Sequence, residues 1–200
     1  MLRKGELSKN TKRALKALKI LGVVSLSEVM KLGLSKPAIT RLVTSGHLQR
    51  VGMGFYVHPN SKGDPKNYDF IVACSRFGKS SVIGGLTALF YYGLTEQAPR
   101  KIWVLVPPKQ KTISSFYRCV RTKTNPRIGV EDHVLFRITN LERTIIEGLR
   151  FAPKIGARVA LKAARTAISE GRTSEVKLAK QATALGLRSV IEKYWDVIAI

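Results

Sequence analysis

Apolar residues near the start of the chain fall at helical spacing three times over and then switch to alternation. Ala14, Leu15, Leu18 and Leu21 share one face of a helix that Ser8 is placed to cap and Gly22 to end. VVSLSEVMKLG predicts a second, shorter helix, with Ser25 and Glu28 at capping-box spacing and Gly33 closing it. GLSKPAITRLVTSG predicts a third. Ser35 caps it, Pro37 sits in the first turn, where its missing N–H costs nothing, and Gly46 is the exit. Ile39, Leu42 and Val43 then face a core, leaving Lys36, Ala38, Thr40, Arg41 and Thr44 outward. LQRVGMGFYVH alternates in two halves about Gly52-Met53-Gly54, the pattern of a β-hairpin. With the tight Leu32-Gly33-Leu34 turn joining the second and third helices, the expected order is a helix-turn-helix followed by a wing.

The periodicity breaks at PNSKGDPKN, a stretch rich in turn formers and almost free of apolar residues. It predicts a winged helix-turn-helix domain over 1–58, a linker over 59–67 and a second domain over 68–200. In the latter the pattern predicts a helix from about Pro65 to Phe77, a short strand at Ser81 to Ile83, and a helix from Gly85 to Tyr92. Strands follow in IWVLVPP, FYRCVRT and VLFRIT, then a helix from near Asn140 and helical segments around 155–169, 174–185 and 188–197. The fold class is α+β: an N-terminal winged helix-turn-helix followed by a mixed α/β C-terminal domain ending in several helices.

Charge changes this picture from a fold to a class of partner. The chain carries 35 Lys and Arg against 13 Asp and Glu, a net +22, and the excess is spread over both parts: +10 in residues 1–66 and +12 in 67–200. Such a surface seeks polyanions, and double-stranded DNA is the leading one because phosphate neutralisation releases counterions. A membrane is disfavoured, since the longest uncharged run, Ser80 to Thr95, is too short to span and is broken by two glycines. MLRKGELSKN lacks the apolar core of a signal peptide, so the expected location is the cytoplasm, and Cys74 and Cys119 read as two reduced thiols.

The expected DNA-binding set is Lys9 and Arg13 from the basic face of the first helix, Ser35, Lys36, Ala38, Thr40, Arg41 and Thr44 from the third, and Arg50 and Met53 from the hairpin. Short outward side chains let a recognition helix sink into the major groove, while Lys36 and Arg41 reach guanine edges or phosphates. Nothing comparable points to catalysis. The acids are scattered, Gly78-Lys79-Ser80 lacks the first glycine of a phosphate-binding loop, and no serine stands in a nucleophile elbow. No catalytic residue, metal or cofactor is expected. In the second domain Arg150, Lys154, Arg158, Lys162 and Arg165 recur at steps of four or three, which on one helix would form a ridge. Three readings of it stay open: a second phosphate contact, a landing site for an acidic protein, or solvated surface.

Three stretches carry a family likeness: SGHLQRVGMGFYV with its Gly-x-Gly-aromatic-Tyr wing, LTALFYYGLTEQAPRKIWVLVP with the turn at Gly93 to Gln97, and RITNLERTIIEGLR with Glu142, Arg143, Thr144 and Glu147. In these the chain resembles the AbiE-type antitoxins of bacterial type IV toxin–antitoxin systems, also described as transcriptional regulators of viral defence. The resemblance implies a repressor whose winged helix binds repeated operator sequences, probing inverted repeats in its own operon. It further implies a C-terminal domain that counters a nucleotidyltransferase-like toxin in abortive infection of phage-infected cells. A stand-alone winged-helix regulator without a toxin partner would show the same residues.

Overall fold

A computed structural model of the protein describes residues 7–52, 54–61, 67–78, 80–110, 115–133 and 135–198. Its internal contacts divide the chain into two units, Met1–Val72 and Ala73–Ile200.

The first unit runs α1 (Lys9–Leu21), β1 (Val24–Ser25), α2 (Leu26–Lys31), α3 (Lys36–Thr44), β2 (Gln49–Gly52) and β3 (Phe55–Val57). Local signals set these boundaries. The Ser8 hydroxyl accepts from the Thr11 amide, and the Ser35 hydroxyl from that of Ala38. Ser25 and Glu28 form the reciprocal capping box, and Gly33 and Gly46 take the left-handed backbone that ends α2 and α3. The strands pair antiparallel in the order β1-β3-β2. Leu15 and Leu18 of α1, Val29 of α2 and Ile39 and Leu42 of α3 bury together with Leu48 under this sheet. Leu21 departs from the expected core face and is 48% exposed. It is the last residue of α1, and Gly22 (φ 76°) turns the chain so that Val23 and Val24 take the buried place.

Helix α4 (Tyr68–Phe77) crosses the division between the units; its expected first turn at Pro65, like residues 62–66 of the expected linker, lies outside the described residues. The second unit continues with β4 (Val82–Ile83), α5 (Gly85–Tyr91), β5 (Ile102–Val106), β6 (Tyr117–Arg121), β7 (Val130–Asp132), β8 (Arg137–Thr139) and α6 (Leu141–Arg150). It ends in α7 (Ala152–Ile155), α8 (Ala157–Ser169), α9 (Glu175–Ala184), α10 (Arg188–Glu192) and α11 (Trp195–Ile198). The sheet order is β6-β5-β4-β8-β7, with β5/β6 and β4/β8 parallel and the other pairs antiparallel. Strand β7 is an addition to the expected set. Helix α5 packs so close to β5 that a Cβ at Gly85 would lie 2.5 Å from the Trp103 ring, so that position admits only glycine.

Helix α6 is the centre of this unit, buried from Arg143 through Leu149, and Leu89, Trp103, Leu105, Leu149, Leu178 and Ile191 share its apolar core. Two of its buried side chains are charged. The Arg143 guanidinium donates through Nε and Nη2 to Glu147 Oε1 (3.3 and 3.2 Å) and through Nη1 to the carbonyls of Asn125 (2.9 Å) and Ile128 (2.6 Å). Thr144 donates to the Thr139 carbonyl, and Glu142 accepts from Thr173. The Glu142-Arg143-Thr144 stretch thus joins α6 to β8, to the 125–128 turn and to the start of α9. Its place is in the interior, holding the fold together.

Candidate nucleic-acid interface

The exposed side of α3 follows from its register. At 100° per residue Lys36, Thr40, Thr44, Pro37 and Arg41 fall in one arc, and all five are exposed, while Ile39 and Leu42 are buried opposite. Ala38 and Val43 lie at the two borders, half-buried. Thr40 and Thr44 turn their hydroxyls onto the carbonyls four residues back, Lys36 and Thr40, at 3.1 Å each. Both threonines are exposed, a short-chained surface between Lys36 and Arg41. Ser35 is spent on the helix cap, which holds the first turn of α3 in place.

The start of α1 stands beside this helix. A Cβ at Gly33, in the turn between α2 and α3, would come within 3.8 Å of the Asn10 amide nitrogen, so the first turn of α1, carrying Lys9, abuts the turn that delivers Lys36. Lys9 and Arg13 are both exposed. In the hairpin Arg50 is exposed and donates from Nε to the Gly52 carbonyl (3.3 Å), which braces it along β2 next to the bulge. Met53, expected at the wing tip, lies outside the described residues.

The electrostatics are one-sided. Between residues 7 and 61 nine Lys and Arg are exposed, and the single acid, Glu28, is committed to the capping box: its Oε2 accepts from the Ser25 amide and hydroxyl, 2.7 Å each. Those two bonds hold the Glu28 carboxyl below the usual range. The periodicity did not single out the histidines. His47 bonds Ser45 at 2.8 Å in the turn after α3, and partial burial together with nearby Lys19 and His47 depresses the His58 pKa. Three sequence-distant bases converge there, and no local spacing announces it.

The C-terminal ridge needs a correction. Arg150, Lys154, Arg158, Lys162 and Arg165 do not lie on one helix, because α6 ends at Arg150, α7 begins separately at Ala152 with Pro153 in its first turn, and Gly156 (φ 106°) breaks the chain again before α8. Arg150 is half-buried, donating to the Thr122 and Thr124 hydroxyls and stacking over Phe151. Lys154 stands alone on α7. Only Arg158, Lys162 and Arg165 form an exposed stripe, on α8, beside Glu96 and Gln97 and with Arg165 bonded to the Val197 carbonyl.

His133, next to Asp132, stacks on Phe136 at 4.3 Å and lies 3.8 Å from Glu131, an arrangement that finishes a sheet edge. Among the described residues no group of three or more His, Cys, Asp or Glu stands together to hold a metal, and no helix is long and apolar enough to cross a membrane.

Three helices followed by a hairpin, with strands in the order β1-β3-β2 and a basic third helix facing outward, define the first unit as a winged helix-turn-helix. Residues 13–59, which span most of that unit, match the family of transcriptional regulators described as AbiEi antitoxins. The whole chain is similar in fold to the crystal structure of the RV2827C protein from Mycobacterium tuberculosis, with a TM-score of 0.60 at 12% identity, covering 97% of this chain and 82% of that one. No curated protein matches the chain.

Proposed function

We propose that the chain is a sequence-specific DNA-binding repressor, the antitoxin of a type IV toxin–antitoxin system, which autoregulates its operon and counteracts a nucleotidyltransferase-like toxin. The observation that carries the reading is the α3 face: Lys36 and Arg41 flank the short Thr40 and Thr44, within a segment, residues 7–61, whose nine exposed cations meet one acid already locked in a cap. A helix of this kind enters the major groove with its outward residues on base edges, while Lys9 and Arg13 of α1 and Arg50 of the hairpin neutralise backbone phosphates. The antitoxin half of the proposal follows from the family match over residues 13–59 and from the resemblance of the Gly93–Gln97 and Glu142–Glu147 stretches.

The test joins both halves. Full-length protein is titrated onto the DNA upstream of its own coding sequence at several salt concentrations. The logarithm of the affinity should fall linearly with that of salt, with a slope of about 0.9 per phosphate neutralised. In cells, co-expression should relieve growth arrest by the neighbouring gene product. Salt-independent binding refutes the DNA reading, and repression without rescue leaves a stand-alone regulator.

A further inference from the structure

A cavity of about 340 Å³ opens in the second unit where the parallel strands β5 and β6 end. Val82, Leu105, Pro107, Pro108 and Pro126 give it apolar lining, and Ser80, Thr122, Lys123, Thr124 and Arg143 give it polar lining. The space beyond the carboxyl ends of parallel strands is where open α/β sheets place ligands, and this volume lies at the small end of the roughly 300–1,000 Å³ of small-molecule sites.

The hydrogen bonds on the polar side run in one direction. Arg150 Nη1 donates to Thr122 Oγ1 (3.2 Å) and Thr124 Oγ1 (3.1 Å). Thr122 Oγ1 also accepts from the Thr124 amide (3.1 Å) and gives its own proton to Thr124 Oγ1 (2.8 Å). Thr124 Oγ1 therefore receives two protons, and its own hydroxyl hydrogen has no acceptor among the described residues. Arg143, fully buried, has five N–H donors and uses four: Nε on Glu147, both on Nη1 for the Asn125 and Ile128 carbonyls, and one of the two on Nη2 for Glu147. The Lys123 ammonium is exposed at the rim, and no carboxylate lines the space. Thr124, Arg143 and Lys123 thus keep donors to spare, Ser80 adds a hydroxyl, and, Thr122 aside, the rest of the lining is apolar.

We infer that this cavity binds a small molecule bearing an oxyanion, phosphate or carboxylate, on an apolar or planar body. The oxyanion accepts from the Thr124 hydroxyl, from the remaining N–H of Arg143 and from Lys123; the body lies against Val82, Leu105 and the three prolines. The site shares no residue with the α3 face, so it stands or falls apart from the DNA-binding proposal.

The test is calorimetric titration of the full-length protein with three probes: inorganic phosphate, a nucleoside 5′-monophosphate and benzoate. At least one organic probe should bind saturably and at least tenfold more tightly than inorganic phosphate. If phosphate matches both, the apolar wall has no role and the inference fails. Thr124→Val keeps the shape and removes the donor, so it should weaken binding about tenfold, with Thr124→Ser retaining it. Lys123→Ala, at an exposed position that leaves the fold intact, should weaken binding severalfold. Equal binding by Thr124→Val and Lys123→Ala, or no saturable binding of any probe at millimolar concentration, overturns the assignment. Melting temperatures of the free variants separate loss of the ligand contact from loss of the fold.

Discussion

Arg41, in the last turn of α3, and Arg143, in the first turn of α6, are both helical arginines, and the molecule uses them in opposite ways. Arg41 stands exposed on α3 among short side chains. Arg143 is fully buried in α6, with four hydrogen bonds to Glu147, Asn125 and Ile128. In the first unit charge is kept outside an apolar core and is available to a partner. In the second an ion pair sits within the core, and the Glu142–Glu147 stretch is spent on holding it. The same residue type therefore serves as scaffold in one half of the chain and as exposed surface charge in the other.

Breaking the buried pair gives the largest effect. Glu147→Ala leaves the guanidinium uncompensated and should cost about 3–5 kcal/mol of unfolding free energy in urea titration, with operator affinity unchanged in protein that remains folded. The double change Arg143→Met with Glu147→Leu should cost much less than the sum of the single ones, because no buried charge is left alone. A Glu147→Ala protein as stable as the parent would mean that the pair is not closed in solution, and the contrast with Arg41 would lapse.

The reciprocal experiment is Arg41→Ala. It should leave stability within about 0.5 kcal/mol, as surface substitutions do, while weakening operator binding by about 1–3 kcal/mol and relaxing discrimination at one base pair. An equal loss on operator and random DNA would make Arg41 a phosphate contact.

A smaller effect is expected at the capping box, where Ser25→Ala should cost about 1 kcal/mol of stability. Its pH dependence sharpens the point. The Glu28 pKa lies below its ordinary value of 4.5, held down first by the Ser25 hydroxyl and then by the Ser25 amide. A depressed acid contributes stability that is present above its unfolded pKa and is lost as pH falls through the folded one. Glu28→Gln should thus flatten the acid limb of the first unit's stability curve below about pH 4.5 and leave the neutral region little changed; an unaltered acid limb would show that the cap is frayed.

The smallest effect belongs to the α8 stripe. Arg158→Glu with Lys162→Glu should change stability by less than about 0.5 kcal/mol, since both are exposed. Unchanged operator affinity together with lost rescue of toxin-expressing cells would assign the stripe to antitoxicity; weaker operator binding would add it to the DNA contacts instead.

Unit 1 was legible because its signals are local. A serine before a helix, a glycine after it and a glutamate three residues on are each read within four positions, and Ser8, Ser25, Glu28, Ser35, Gly33 and Gly46 all act where the spacing put them. The ridge failed on the same kind of evidence, since Pro153 and Gly156 interrupt the run and the step of four was extended across them. The spacing of Arg143 and Glu147 was visible, but their burial depends on carbonyls 15 and 18 residues away. The cavity draws its walls from positions 80 to 143, brought together by parallel strand pairing that no local pattern encodes.

The commitment of Glu28 to its cap has a consequence for how the first unit responds to its solvent. Between residues 7 and 61 nine exposed cations stand against a single acid already bonded into its cap, so this segment carries an electrostatic load that dissolved ions lighten. The same ions compete with DNA for those cations. Raising salt from low to moderate concentration should therefore lift the melting temperature of the free protein while it lowers operator affinity, and a melting temperature that falls alongside affinity would show the load to be negligible. Duplex DNA is then both target and counterion, and the winged helix is at its most stable when it is occupied.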